Sequence, residues 1–355
     1  MTHYITIKNL VKKDINLLHK WRNTEYFIKR SQSKEKVSLI SHKIWFENIL
    51  STNTYSKIIY FKNHTPIGHF RIDKINKSNV VTIYIIKKYI GIGIGTFIIN
   101  YCVRDYLATI APKNTKIIAM ILKDNLSAIK SFKKSGFVEN VYFSHSSLAK
   151  FEFKLKKIEY YNLISYLHSY KNFKNSFKSL QWGSIKSQKT RFNVISNLIF
   201  DHTSQKNFSL LDVGCGLGDF YSHINKNYKV SYTGIDNCPF FIKHAINKYH
   251  NTNFYITSIF NKFFFSKIKF DYVIASGLFT FFNSKYLFHK AILAMWNLSK
   301  KGIIFNCLLF DPHNIVDGEL SFKHNDVLNY CKKISPKIKI LSNYHPNDFT
   351  IFMYK

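Results

Sequence analysis

Two rhythms of apolar residues alternate along this chain. Stretches with every second residue apolar predict strands, and stretches with apolar residues three and four apart predict helices. In the first half "HYITIKNL" alternates, while "DINLLHKWRNT" and "SLISHKIWFENIL" have helical spacing. "YSKIIYFKN" and "PIGHFRIDK" read as a hairpin joined around residues 63–66. A further strand, "NVVTIYII", runs into the strip Gly91-Ile92-Gly93-Ile94-Gly95, and a helix is expected from Thr96 over "TFIINYCVRDYL". Then come a strand, "KIIAMIL", and a helix, "NLSAIKSFKKS", opened by Asn125 and ended by Gly136; "KFEFKL" closes the half as a strand.

Residues 156–180 are polar and aromatic and predict a partly helical connector. Beyond about residue 181 the pattern changes. A helix over "SIKSQKTRFNVISNLI" leads into "FSLLDVGCGLGDF", and the strands "SYTGIDN", "NFYITSI", "FDYVIASGLF" and "GIIFNCLLF" alternate with helical segments. Such strands separated by helices predict a parallel sheet covered on both faces. "KIKILSNY" and "FTIFMYK" predict an antiparallel pair at its edge. The expectation is an α/β chain with domains at 1–155 and 181–355 joined by the connector 156–180, without an internal repeat.

Composition adds three constraints. The chain has 355 residues, 46% of them hydrophobic, which is ample for two cores. Its net charge of +32 is spread over both halves rather than clustered, so it favours phosphate-bearing partners without marking a nucleic-acid face. A small molecule is the expected partner, and nucleic acid stays open as the less favoured one. The five cysteines (Cys102, Cys215, Cys238, Cys307, Cys331) form no C-x-x-C pair, which argues against disulfides and a zinc site and for a reducing, cytoplasmic setting. No metal is expected. No apolar run reaches 18 residues and the N-terminus has no signal-peptide h-region, so neither membrane insertion nor export is expected.

The glycine strip stands between a strand and a helix, where bare backbone N–H groups and the helix dipole suit an anion. Strand, strip, helix, strand and "DNLSAIKSFKKSGF" together resemble the GCN5-related N-acetyltransferase (GNAT) family, a mixed-sheet α/β fold. The resemblance implies acetyl-CoA binding at Ile85, Ile92, Gly93, Ile94, Gly95, Thr96 and Asn125. Three positions depart from the family pattern: Ile90 stands where Arg or Gln is usual, Phe132 where a Tyr often protonates the leaving thiolate, and "VVTIYII" lacks the common acidic residue. Candidate bases are therefore Asp73, His42 and Tyr84, each with a bland alternative as surface carboxylate, helix-face imidazole or core phenol. "WRN" (Trp21, Arg22, Asn23), Arg30 and "SHKIWF" with Trp45 resemble acetyltransferases of nucleotide-linked amino sugars of the pseudaminic-acid type. They imply a substrate site, although the aromatic residues also suit a helix-face core. A related branch acetylates protein N-terminal amines.

The second glycine loop, Asp212-x-Gly214-x-Gly216-x-Gly218, follows an apolar strand and opens a helix, and Asp236 lies 22 residues after Gly214, a distance that suits ribose hydroxyls. The Asp before the glycines resembles class I S-adenosylmethionine (AdoMet) methyltransferases, with a Rossmann-like doubly wound sheet. That implies AdoMet contacts at Asp212, Gly214, Gly216, Gly218, Asp236, Ser258 and Ser276. Ser258 replaces the usual adenine-binding acid. Gln188 and Arg191 share one helical face and could meet the AdoMet carboxylate or the methyl acceptor. The sequence thus predicts a bifunctional transferase: an N-acetyltransferase for a nucleotide-linked amino sugar and a methyltransferase for a glycan-related acceptor. The alternatives are a modifier of ribosomal protein or RNA, or a chain in which one domain only binds its ligand.

Overall fold

The computed structural model describes all residues except 1–4, 32, 63, 76–77, 204, 206, 227, 266–267, 283 and 314–318. The chain divides into two compact units, residues 1–156 and 157–355.

The first unit is a seven-stranded sheet in the order β1-β2-β3-β4-β5-β7-β6. Its strands are β1 (Ile5–Asn9), β2 (Tyr55–Phe61), β3 (Thr65–Ile75), β4 (Ser78–Ile85), β5 (Ile117–Leu122), β6 (Val138–Glu139) and β7 (Leu148–Phe153). Between β1 and β2 lie α1 (Ile15–Arg22), α2 (Glu25–Ile28) and α3 (Leu39–Ser51). Side chains start two of these helices: Thr24 accepts from the Phe27 N–H and Ser38 from the Ser41 N–H. β2 and β3 form the expected antiparallel hairpin, with residue 63 of its turn outside the described residues. After β4, α4 (Ile94–Thr109) starts two residues before Thr96, because Gly93, at φ +87°, is its N-cap. α5 (Leu126–Lys134) is capped by Asn125, whose side chain accepts from the Ala128 N–H.

The second unit has seven strands in the order β10-β9-β8-β11-β12-β14-β13. Five are parallel: β8 (Asn207–Val213), β9 (Lys229–Asp236), β10 (Asn253–Ile256), β11 (Phe270–Ala275) and β12 (Ser299–Leu308). β13 (Ile338–Leu341) and β14 (Asp348–Tyr354) pair antiparallel at the edge, as their sequence suggests. The helices α7 (Ile185–His202), α8 (Asp219–Ile224), α9 (Pro239–Lys248), α10 (Lys285–Leu298) and α11 (His324–Lys332) accompany the strands. Phe288, Ile292 and Met295 of α10 are fully buried against β11 and β12. The segment expected as a connector forms α6 (Lys157–Phe173) and a 3-10 turn (Phe177–Leu180), and both fall within this second unit. Tyr166 and Tyr170 of α6 pack edge-on against Phe241 of α9. Chain order runs outward from β8 on either side, which places a crevice at the C-terminal ends of β8, β9 and β11.

Candidate active sites

In the first unit β4 and β5 pair only at Asn79↔Ile117 and Val80↔Ile118. Among the described residues, Val81 to Ile85 thus have no parallel partner on that side, and main-chain groups there are open to a ligand. The glycine strip follows. Gly91 (φ +86°) and Gly93 (φ +87°) occupy the left-handed region, and a Cβ on either would meet nothing within 4 Å, so the loop presents bare backbone outward. Gly95 lies in the first turn of α4, where a Cβ would come within 3.4 Å of Ile85 Cδ1. The fold thereby gathers Ile85 and Ile92–Thr96 at one helix start. Ile92 is 39% exposed, whereas the Ile94 side chain is buried and can offer only its main chain. The Asn125 carboxamide oxygen is engaged by its own helix. Phe132 is buried edge-on against Phe137 and supplies no hydroxyl.

The β3–β4 register sets His69 beside Tyr84, Arg71 beside Thr82 and Asp73 beside Val80. Asp73 accepts two hydrogen bonds from Arg71 Nε, at 2.9 and 2.7 Å, and the Arg71 guanidinium lies 4.9 Å from the Trp45 ring. His42 is buried with its ring 4.9 Å from Trp45; burial and the neighbouring His19 push its pKa down to about 4, and among the described residues its Nε2 has no hydrogen-bond partner. Burial raises the Tyr84 phenol, whose ring packs on Trp21 and Phe27. Of the three candidate bases, Asp73 is thus tied to Arg71, while at neutral pH His42 is a neutral imidazole and Tyr84 a protonated phenol.

Among the expected substrate residues, Trp21 is buried in the core with Phe46 and Ile49. Asn23 clamps both the N–H and the C=O of Val37, and Arg22 bonds Ser33 Oγ and the Glu35 carbonyl. Arg30 is exposed over the Tyr26 ring at 3.9 Å. Trp21 and Asn23 thus serve the scaffold, while Arg22, Arg30 and Trp45 keep partly open surfaces.

His69, bonded to Ser56 Oγ at 2.7 Å, is pushed by burial to about 3. Both imidazoles lie below their ordinary 6.5, so the stability they contribute is full above pH 6.5 and is lost as pH falls toward 4 and 3. For His69 alone the loss at pH 5 is on the order of 2 kcal/mol. Thermal melts should show the first unit weakening between pH 7 and pH 5, with a shallower loss in His69→Gln; equal slopes would refute it.

In the second unit the chain turns sharply after β8. Gly214 (φ +77°), Gly216 (φ +53°) and Gly218 (φ +79°) are all left-handed, a conformation unfavourable to residues with a Cβ. Gly214 and Cys215 donate their N–H groups to the Ile235 carbonyl, which ties the loop to β9. Asp236, ending β9, accepts from the Gly216 N–H at 3.0 Å and from the Cys238 N–H at 2.8 Å. Burial raises its pKa to about 6, opposed by those donors. Asp212 is buried behind the loop, accepts from the Tyr232 hydroxyl and is raised by burial to about 7; it braces the turn from inside.

At the end of β11, Ser276 Oγ is buried with no hydrogen-bond partner among the described residues, and Gly277 (φ +69°) donates its N–H to Asn306 Oδ1 at 2.8 Å. The half-buried Ser258 accepts from the Phe260 N–H. Gln188 reaches Asp219 beside the glycine loop, whereas Arg191 turns to Asp348 and Ser187, so the two side chains diverge from their shared face. Left-handed glycines, a carboxylate and an orphaned hydroxyl at one sheet end fit an adenosine-bearing donor. Sequence reasoning missed Leu180 and Trp182. A Cβ on Gly216 would lie 2.6 Å from Leu180 Cδ2, and one on Gly277 would lie 2.8 Å from the Trp182 ring, so these side chains form an outer wall to the crevice. The "QWG" stretch, an aromatic among polar residues just before α7, was the available signal. Asn306 was missed as well.

Both units have the architecture of group-transfer domains. Residues 15–137 match the acetyltransferase (GNAT) family and residues 204–337 match a methyltransferase domain. The chain thus carries an N-terminal GNAT acetyltransferase domain and a C-terminal class I methyltransferase domain. Acetyl-CoA and AdoMet are the donors consistent with these two folds. No curated protein matches the chain. Among solved structures, a domain from Methanocaldococcus jannaschii is similar at 24% identity and TM-score 0.38, covering 42% of this chain and 98% of its own. Spermidine N-acetyltransferase from Vibrio cholerae, solved with CoA and spermine, is similar at 20% identity and TM-score 0.37, covering 45% and 99%. Magnesium protoporphyrin IX methyltransferase from Synechocystis PCC 6803, solved with bound SAH, is similar at 11% identity and TM-score 0.44, covering 55% and 99%. Among the described residues no helix is long and apolar enough to cross a membrane, and no group of three or more His, Cys, Asp or Glu side chains could hold a metal ion.

Proposed function

We propose that the chain is a bifunctional transferase, acetylating an amine on a nucleotide-linked amino sugar and methylating a glycan-related acceptor. Bound acetyl-CoA would supply a thioester carbonyl for attack by the amine, and AdoMet a sulfonium methyl. The outward main chain at Gly91 and Gly93 before the 16-residue α4 suits the CoA pyrophosphate, and Ile85 with the open edge of β4 would hold the pantetheine arm. In the second unit Asp236 would bind the ribose, and the Gly214–Gly218 turn and Ser276 the rest of the donor.

The observation that carries the acceptor reading is the charge of the face around β3 and α3. His42 senses both Arg22 and Arg71, and the carboxylate of Asp73 is paired with Arg71. Such a face repels a polycation and suits an amine carried on a diphosphate. With Phe132 in the core and no free carboxylate on β4, the residues orient the amine and polarise the carbonyl, and protons leave through water. All five cysteines are buried as thiols, which is compatible with a reducing cytoplasm. Incubation with acetyl-CoA and a UDP-linked 4-amino sugar should release CoA faster than incubation with spermidine. Release with spermidine alone, or with neither amine, would overturn this reading.

A further inference from the structure

Beyond the donor crevice, the second unit has a pocket of about 350 Å³ lined by His324, Ser342, Asn343, Tyr344, His345 and Asp348. It stands at the start of β14 and the N-terminus of α11, and a relay of hydrogen bonds and pairings ties it to the crevice. The Gly277 N–H donates to Asn306, and Asn306 lies opposite Thr350 across the β12–β14 ladder. Thr350 Oγ1 and the Tyr344 hydroxyl are 2.8 Å apart. Two residues along β14 from Thr350, Asp348 pairs with Arg191, and Ser187, which also bonds Arg191, is 3.1 Å from His345 Nε2. The Trp182 ring covers the Arg191 guanidinium at 4.9 Å and meets Gly277 with its edge.

Within the pocket lining, the buried His324 Nε2 has no hydrogen-bond partner among the described residues. Leaving such an atom unpaired costs roughly 1–3 kcal/mol, so it marks a place that a ligand would complete. We infer that the pocket by His324 and Asp348 holds the methyl acceptor, and that this acceptor is an uncharged, hydroxyl-rich molecule. The inference rests on the methyltransferase reading of this unit.

Charge and size select that class. Among the described residues Asp348 is the carboxylate lining the pocket, no lysine or arginine lines it, and the charge of Asp348 is compensated by its ion pair with Arg191. In a chain of net charge +32, a site without surplus positive charge is not shaped for an anion, and the paired carboxylate offers a cation little. Hydroxyl, carboxamide, imidazole and phenol groups complement hydroxyl groups as donors and acceptors. At about 30 Å³ of liquid volume per water, the pocket takes a molecule of on the order of a dozen non-hydrogen atoms, the size of a single sugar or cyclitol ring.

The test uses the full chain saturated with S-adenosylhomocysteine, with binding of that compound first confirmed by calorimetry. myo-Inositol, inorganic phosphate and spermidine serve as neutral, anionic and cationic probes, followed by saturation-transfer difference for the organic probes and by phosphorus line width for phosphate. The expected result is an inositol signal that falls at least fivefold in Ser342→Trp, whose added ring fills the pocket from an exposed loop position, with phosphate and spermidine indifferent to the substitution. No inositol signal, an inositol signal insensitive to Ser342→Trp, or pocket-dependent binding of phosphate or spermidine would overturn the inference. Failure of S-adenosylhomocysteine to bind would instead strike the methyltransferase reading, and the inference with it.

Discussion

Asp236→Ala should weaken AdoMet binding at least 100-fold, by about 2.7 kcal/mol. At the end of β9 the carboxylate oxygens hold the Gly216 and Cys238 N–H groups, and in the proposed function its remaining lone pairs would accept from the ribose hydroxyls. Charge-assisted hydrogen bonds are about twice as strong as neutral ones, so losing the carboxylate releases both the loop and the ligand. Asp236→Asn should fall between, because one oxygen remains to accept. pH gives a second signature. With its pKa raised to about 6, the free protein holds Asp236 partly protonated at pH 6, so affinity should drop as pH is lowered from 8 to 5. The same raised pKa makes ionised Asp236 a burden on the folded state that grows as pH rises through 6, so Asp236→Ala should cost little stability at pH 8. Calorimetric titration with AdoMet across this pH range, paired with thermal melts, separates lost binding from lost fold.

Gly93→Val should weaken acetyl-CoA binding at least 30-fold while leaving the first unit folded. Gly93 caps α4 at φ +87°, where a residue with a Cβ pays roughly 1–2 kcal/mol and a β-branched one more. Among the described residues no atom lies within 4 Å of the added Cβ, so the core is not crowded. The isopropyl group instead stands on the open side of the loop, where a pyrophosphate would approach the amides. Gly95→Ala is the control: Gly95 has ordinary helical backbone, its Cβ would meet Ile85 Cδ1 at 3.4 Å, and the expected loss is several-fold smaller. Equal effects from both substitutions on CoA titrations would contradict this picture of the loop.

The parts of this molecule that its sequence revealed are those with a local cause. Left-handed backbone at Gly91, Gly93, Gly214, Gly216 and Gly218 favours glycine, so both loops were visible as spaced glycines between a strand and a helix. The central strands of the second sheet were visible because burial on both faces makes them largely apolar, and the antiparallel edge because an alternating strand, β13, and an apolar one, β14, follow α11. What lay hidden depended on partners far along the chain. Trp21 and Asn23 have residue types that suit a ligand and a scaffold equally, and only Val37, fourteen residues from Asn23, reveals the clamp. Leu180, Trp182 and Asn306 belong to the crevice through contacts with Gly216 and Gly277 that no spacing rule connects. The start of α4 shifted because a glycine in a left-handed cap, rather than a capping side chain, begins it.

One calorimetric experiment bears most directly on the claim that each unit grips its own adenosine-bearing donor. The full chain is titrated with CoA and then with S-adenosylhomocysteine, and the order is reversed in a second run. One site per chain is expected for each ligand, with the first leaving the second unchanged, Gly93→Val weakening only CoA and Asp236→Ala weakening only S-adenosylhomocysteine. Competition between the two ligands, or absence of binding for either, would contradict it.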